Sequence, residues 1–132
     1  MSEHAEQAAL FRWAALASRV HPELRLLFAV PNGGARNKRT AGMLKAEGVR
    51  AGVPDVCLPV PKAESGALYI ELKRSATPGK PRGRVSESQR DWLGALQAAG
   101  NTVAVAYGWE QARGVIERYL GIVYRVADET GG

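Results

Sequence analysis

Two short apolar runs carry charged residues at positions where a folded chain can bury them only at a cost. The runs are Val56–Leu58, directly preceded by Asp55, and Leu68–Lys73, which contains Glu71. Their content of Val, Leu, Ile and Tyr predicts two neighbouring buried strands. Because side chains alternate along a strand, Glu71 and Lys73 share one face. Burying these charges is costly unless they are paired or bound to a metal, so we expect the chemistry of the protein here.

The rest of the chain is predicted to form one α/β domain in which helices alternate with strands. Apolar spacing predicts helices over residues 3–20, 40–47 and 110–120, with Thr40 as an N-cap and Gly48 ending the second helix. A further helix starts at Ser86, which forms a capping box with Gln89. Strands are predicted over residues 26–30 and 102–107, with an edge strand over 122–126, a turn over 31–34 and a mobile loop over 74–84.

The charge of the chain is concentrated beside the two acidic positions. The net charge is +5, which suits a polyanionic partner. Two basic clusters bracket Asp55 and Glu71 in the sequence, and a merely solvated basic face is the alternative explanation. The first cluster comprises Arg36, Lys38, Arg39, Lys45 and Arg50, and the second comprises Arg74, Lys80, Arg82 and Arg84.

Several classes of protein are excluded by what the sequence lacks. No apolar run approaches the roughly 20 residues that span a membrane, and the first residues do not resemble a signal peptide. The single cysteine, Cys57, excludes an internal disulfide and a cysteine zinc cluster. We therefore expect a cytoplasmic protein that acts without a membrane.

The order of proline-aspartate, a variable spacer and glutamate-x-lysine resembles the PD-(D/E)xK nuclease superfamily. Four segments, residues 31–34, 48–55, 70–73 and 86–89, resemble its VRR-NUC branch more closely. The resemblance implies a restriction-endonuclease-like fold, a mixed central sheet flanked by helices. It also implies a nuclease domain over residues 1–121, with residues 122–132 as a C-terminal edge segment and frayed tail.

This resemblance implies a divalent cation, Mg²⁺ or Mn²⁺, at the acidic positions. Magnesium prefers oxygen ligands and commonly takes one or two carboxylates. Asp55 and Glu71 would supply carboxylates, the Leu72 carbonyl would add a backbone ligand, and Lys73 would orient the attacking water. The alternative is a buried Glu–Lys pair, with Asp55 serving only as a turn residue.

Three further residues are candidates for the site. The family places one glutamate of the first helix near the metal, and Glu6 is better placed than Glu3 because it precedes Leu10 on the buried stripe by one turn. The alternative for either glutamate is a solvated acid on the surface. Gln89 resembles a family glutamine near the metal, but the capping box explains it equally well. Asn32 either caps a turn or contacts phosphate.

The family resemblance implies a metal-dependent DNA endonuclease. Stand-alone members are similar to phage and bacterial enzymes that act as homodimers on branched DNA, as Holliday-junction resolvases do in the host cytoplasm. A nuclease for flaps or simple ends, or a DNA-binding module without catalysis, is the alternative. Exposed apolar residues at 122–124 are candidates for the dimer interface, and the expected DNA contacts are Asn32, Arg36, Lys38, Arg39, Arg74, Lys80, Arg82 and Arg84.

Overall fold

Helices and strands alternate along the chain in the computed structural model. The structure describes residues 1–31 and 38–122, with the side chains of Lys38 and Arg39 excepted. The elements are α1 (Glu3–Ala17), a 3₁₀ helix (Pro22–Leu26), β1 (Phe28–Ala29), α2 (Lys38–Ala46), β2 (Val56–Leu58), β3 (Leu68–Lys73), α3 (Glu87–Ala98), β4 (Thr102–Tyr107) and α4 (Trp109–Leu120).

The strands of the described residues form one mixed sheet in the order β1-β2-β3-β4. The first two pairings are antiparallel, and β3 pairs with β4 in parallel. A parallel pair needs a crossover connection, and α3 supplies it. Helices therefore flank a mixed sheet, which confirms the α/β architecture that the sequence predicts.

The hydrophobic core lies between one face of the sheet and the helices α1 and α4. Ile70 and Leu72 of β3 pack there with Leu10 of α1 and Ile116 of α4, and all four are buried. Glu71 and Lys73 occupy the opposite face, because side chains alternate along β3. Core packing against Ile70 and Leu72 thus determines where the charged pair points.

The central elements match the sequence prediction, including β2, β3, β4 and the start of α3. The capping box of Ser86 and Gln89 is present, and Gly48 follows α2 with a φ of 98°, as the predicted helix end requires. None of the helices in the described ranges is long and apolar enough to cross a membrane.

Three predicted boundaries are wrong, and the start of the last helix is within one residue of the prediction. The first helix ends at Ala17, because the Ser18 hydroxyl binds the Ala15 carbonyl and the chain then tightens into i→i+3 turns. The strand predicted over 26–30 shortens to two residues, since the 3₁₀ helix takes up Leu26. Thr40 lies inside α2, which begins two residues earlier, and is not its N-cap. The last helix begins at Trp109.

Ile122 does not contribute an exposed apolar surface. It is half-buried and packs against the core, because its backbone N–H bonds back to Glu117 at the end of α4. The remaining residues of the predicted edge strand and interface lie outside the described part of the chain. So does most of the predicted turn over residues 31–34.

Candidate active site

Asp55 lies at the start of β2, directly opposite Glu71 on β3. Its Oδ2 atom accepts a hydrogen bond of 2.8 Å from the Leu72 backbone N–H. Its own carbonyl accepts from the Val30 N–H at 2.8 Å, which extends the β1–β2 pairing by one step. The Leu72 N–H therefore holds the carboxylate against β3, while the Val30 N–H holds the backbone of Asp55 from the other side.

Glu71 is the buried acid at the centre of the site, with 1% of its surface exposed. Its Oε1 atom accepts a 2.6 Å hydrogen bond from Gln89 Nε2 and lies 3.5 Å from Lys73 Nζ. Its Oε2 atom is buried without a hydrogen-bond partner among the described residues. A buried carboxylate oxygen of this kind carries a desolvation cost, so it is the atom most in need of a ligand.

The pKa values of both carboxyl groups are raised. Burial, and then the charge of Asp55, raise the pKa of Glu71 to about 8, against the opposing charge of Lys73. Burial also raises the pKa of Asp55, against the hydrogen bond from Leu72, and the charge of Glu3 contributes to the rise. Without a cation the pair therefore retains a proton at neutral pH, which is the behaviour of two carboxylates that share one site.

Gln89 joins the start of α3 to this site. Its side-chain oxygen accepts from the Ser86 N–H at 2.8 Å, while its side-chain nitrogen donates to Glu71. The capping role and the site role are both present, because the two ends of one amide serve them separately. Gly52 brings the loop before Asp55 close to the same helix turn: a Cβ at Gly52 would lie 2.8 Å from the Ser88 carbonyl.

The two glutamates of α1 have different surroundings. Glu6 is buried, and its Oε2 accepts from the Trp109 N–H at the start of α4, where the helix dipole favours a carboxylate. Glu3 is exposed, and its charge acts on Asp55. A Cβ at Gly83 would lie 3.1 Å from Glu3 Oε1 and 3.4 Å from the Lys73 side chain, so Glu3 is the α1 acid beside the site.

The basic residues predicted to contact DNA fall into three groups. Lys80, Arg82 and Arg84 are exposed on the loop after β3. Arg74 is half-buried and donates to the Pro81 carbonyl at 2.8 Å, so it holds this loop together. Of the others, Asn32 and Arg36 lie outside the described residues, as do the side chains of Lys38 and Arg39.

The sequence did not lead us to predict a basic cleft beside the site. A cavity of about 350 Å³ is lined by residues of the loop, α3 and β4, including Arg90, Val105 and Tyr107. The sequence does contain a signal for this cleft, because β4 ends in a tyrosine, Tyr107. Only the parallel register, which pairs Tyr107 with Lys73, shows that this tyrosine adjoins the site.

The residues present fit a divalent cation with oxygen ligands. The described residues contain no group of three His, Cys, Asp or Glu side chains that could hold a metal ion. The side chains of the central strands offer two carboxylates, those of Asp55 and Glu71. The Leu72 carbonyl lies on the same edge of β3 as its N–H, which faces Asp55. Magnesium commonly retains several waters and takes one or two carboxylates, so this donor set and the free Glu71 oxygen suit it.

Comparison with known proteins identifies the family and the fold of the chain. The VRR-NUC domain family profile matches residues 3–110. A solved structure described as a VRR_NUC domain protein superposes with a TM-score of 0.75 at 21% sequence identity, covering 92% of this chain and 90% of that chain. A search of curated proteins found no match.

Proposed function

This chain belongs to the VRR-NUC domain family and carries a nuclease-type domain, and from this and the site geometry we propose that it is a metal-dependent DNA endonuclease. The observation that carries the proposal is the Glu71 Oε2 atom, which is buried beside the Asp55 carboxyl group and accepts no hydrogen bond from an N–H group of the described residues. A purely structural ion pair gives no reason for such an atom, whereas a carboxylate that binds a cation does.

The chain's own residues divide the work of phosphodiester hydrolysis. Asp55, Glu71 and the Leu72 carbonyl would hold Mg²⁺ or Mn²⁺, which when bound lowers the pKa of a ligated water and neutralises charge on the phosphate. Lys73, which is buried beside Glu71, orients the attacking water and offsets negative charge. Gln89 fixes the rotamer of Glu71 through its 2.6 Å hydrogen bond.

Glu3, rather than Glu6, is the acid of α1 that we assign to the metal. The carboxylate of Glu6 is used by the first turn of α4. Glu3 lies across Gly83 from the Lys73 side chain, and its charge reaches Asp55. From this position Glu3 would bind the cation through a water.

The activity is tested by cleavage with purified protein in Mg²⁺ or Mn²⁺. Glu71→Gln replaces a carboxyl by a group of the same shape, and we expect cleavage to disappear while DNA binding persists. Glu64→Gln is the matched control, because Glu64 is an exposed acid in the β2–β3 connection at the other end of the strands. Absence of cleavage by the wild-type protein on every DNA would leave a binding module, and an active Glu71→Gln protein would overturn the site.

We further propose that the substrate is branched DNA and that the working unit is a homodimer. One metal site cuts one strand, so symmetric cleavage of a four-way junction requires two copies, which a two-fold axis supplies. Light scattering measures the oligomeric state, and competition between a four-way junction, a flap and a plain duplex measures selectivity. A monomer that cuts the duplex as fast as the junction would indicate a simpler nuclease for flaps or ends.

A further inference from the structure

The basic cleft beside the site has the composition of a nucleotide pocket. Its lining includes three arginines, Arg82, Arg84 and Arg90, together with Leu93, Val105 and Tyr107. Neither ion pair found among the described residues involves these arginines, since the pairs are Lys73–Glu71 and Arg113–Glu117. The cleft therefore combines positive charge with apolar side chains, which matches a nucleotide, whose phosphate is anionic and whose base has an apolar face.

An aromatic stack is already present in the cleft. The Arg82 guanidinium lies 4.4 Å from the centroid of the Tyr107 ring. A guanidinium plane on an aromatic ring is a surface on which nucleobases stack, and such stacking tolerates any base. Tyr107 is half-buried in β4, so its ring is a fixed component of the pocket.

The register of the sheet places this cleft directly next to the proposed site. In the parallel pairing, Val105 lies opposite Glu71 and Tyr107 lies opposite Lys73. Paired residues of adjacent strands project from the same face, about 4.8 Å apart. Gly83, which lines the cleft, also adjoins Glu3 and Lys73. A nucleic-acid strand whose phosphate lies at Glu71 would therefore place a neighbouring nucleotide in the cleft.

We propose that the cleft binds a single unpaired nucleotide next to the phosphate that is cut, its base stacked on the Arg82–Tyr107 pair and its phosphate held by arginines. The volume of about 350 Å³ is small, at the lower end of the range of about 300–1,000 Å³ for ligand pockets, so one nucleotide fits and a duplex does not. A paired base would first have to leave its stack, which costs a few kcal/mol. This inference rests on the proposed nuclease function and narrows its substrate class to those branched DNAs that have an unpaired base beside the cut.

The test measures binding without cleavage, in EDTA. Three duplexes are compared: one with a single bulged 2-aminopurine, one with an abasic residue at the bulge, and one fully paired. We expect the wild-type protein to bind the base-containing bulge about 5- to 100-fold more tightly than the abasic bulge, the range that corresponds to one base–aromatic stack. We also expect the 2-aminopurine fluorescence to fall on binding. Equal affinity of the wild-type protein for the two bulges would overturn the proposal, regardless of the affinities measured for the variants.

Variants of Tyr107 identify the cleft as the binding site. Tyr107→Leu should abolish the preference for the base-containing bulge, whereas Tyr107→Phe, which keeps the ring, should retain it. Tyr69→Leu is the matched control, because Tyr69 is a half-buried tyrosine of β3 on the same face and is not among the residues that line the cleft. An unchanged preference in Tyr107→Leu would assign the base to another surface.

The binding and cleavage results separate the two proposals. A bulge preference that depends on Tyr107, without cleavage in Mg²⁺ or Mn²⁺, would refute the nuclease function and leave the nucleotide pocket standing. Metal-dependent cleavage without any preference for the base-containing bulge would refute the pocket alone.

Discussion

Gln89 donates a 2.6 Å hydrogen bond to Glu71 from the same side chain that closes the capping box of α3. One amide therefore sets both the start of a helix and the orientation of the central acid. Because the Oε1 atom of Glu71 is taken by this bond, the Oε2 atom is the one left for a ligand. The local folding of α3 and the geometry of the site are in this way coupled.

Gln89→Glu separates the two roles of this side chain. Glutamate at this position still accepts from the Ser86 N–H, as in other capping boxes, but it cannot donate to an ionised Glu71. A third carboxyl group beside Glu71 and Asp55 is repelled by them, so we expect the melting temperature to fall, and cleavage to fall by at least about tenfold, the order expected when a positioned group moves by a fraction of an ångström.

Ser86→Ala is the converse variant. It removes the hydroxyl that accepts from the Gln89 N–H and should cost about 1 kcal/mol of stability, while leaving the Gln89 amide able to contact Glu71. Thermal unfolding and cleavage rates of the two variants are measured together. Loss of stability in Gln89→Glu with full activity would show that the contact with Glu71 is only structural.

The raised pKa of Glu71 predicts that the metal-free protein loses stability as the pH rises. The pKa is about 8 in the folded chain and 4.5 in the reference state, so between these values the folded state binds a proton that the unfolded state does not. Stability should fall across this window by on the order of 1 kcal/mol per pH unit. Urea unfolding in EDTA at several pH values measures it.

Glu71→Gln provides the comparison for this pH dependence. Glutamine does not titrate, so the free energy of unfolding of the variant should decline less between pH values of about 5 and about 8. Contributions from groups that do not interact with Glu71 cancel in the difference, whereas the titration of Asp55, which is coupled to Glu71, changes with it. Parallel curves for the two proteins would mean that Glu71 does not hold the proton.

The two glutamates of α1 should respond differently to the same substitution. Glu3→Gln, at an exposed residue, should leave the melting temperature unchanged and reduce cleavage, most of all at low metal concentration. Glu6→Gln weakens a charge-assisted bond to the first turn of α4 and should lower stability by about 1 kcal/mol. A metal titration of cleavage and a thermal melt on each variant distinguish them, and the reverse pattern would assign Glu6 to the metal.

The loop after β3 should bind phosphates without reading bases. Replacing Lys80, Arg82 and Arg84 together with alanine should weaken binding to every DNA sequence. The slope of log affinity against log salt should become shallower by about 0.9 for each phosphate that is no longer neutralised. Lys62→Ala is matched to Lys80→Ala, because both lysines lie in tight turns closed by isolated bridges. Lys62 lies at the other end of β2 and β3. An equal change of the salt slope in Lys62→Ala and Lys80→Ala would contradict the assignment of phosphate contacts to the loop after β3.

The sequence could predict β2, β3 and the acids they carry because local signals and burial agree there. Ile70 and Leu72 enforce a strand whose other face must present Glu71 and Lys73. The family motifs predicted a nuclease-type domain, which hydrophobic periodicity alone could not predict. The order of the strands was not accessible in this way, because pairing between β3 and β4 depends on contacts distant in the chain.

The choice between Glu6 and Glu3 shows where prediction from the sequence reached its limit. The helical stripe correctly placed Glu6 on the buried side of α1, while which of the two acids approaches the metal stays a prediction. The N-terminus of α4 occupies that side and uses the carboxylate. Only the packing of α1 against α4, a contact between the two ends of the domain, decides which acid stands beside the site.

Gly52→Ala should damage the site through the backbone alone. Gly52 has a φ of 90°, and a Cβ there would lie 2.8 Å from the backbone of Ser88 in the first turn of α3. Alanine would be destabilised by about 1 kcal/mol in the left-handed conformation and would also push the loop away from α3. Because this loop leads directly to Asp55, we expect cleavage to fall by about tenfold or more.

Gly48→Ala is the matched control for this loop. Gly48 has a φ of 98° and nothing within 4 Å of an added Cβ, so the variant carries the conformational cost without the collision. Both variants should therefore lose similar stability from the backbone, while only Gly52→Ala loses most of its activity. Urea unfolding and metal-dependent cleavage are measured on both proteins. If the two lose activity equally, the approach of the loop to Ser88 does not position Asp55, and backbone strain in the loop is sufficient to explain the loss.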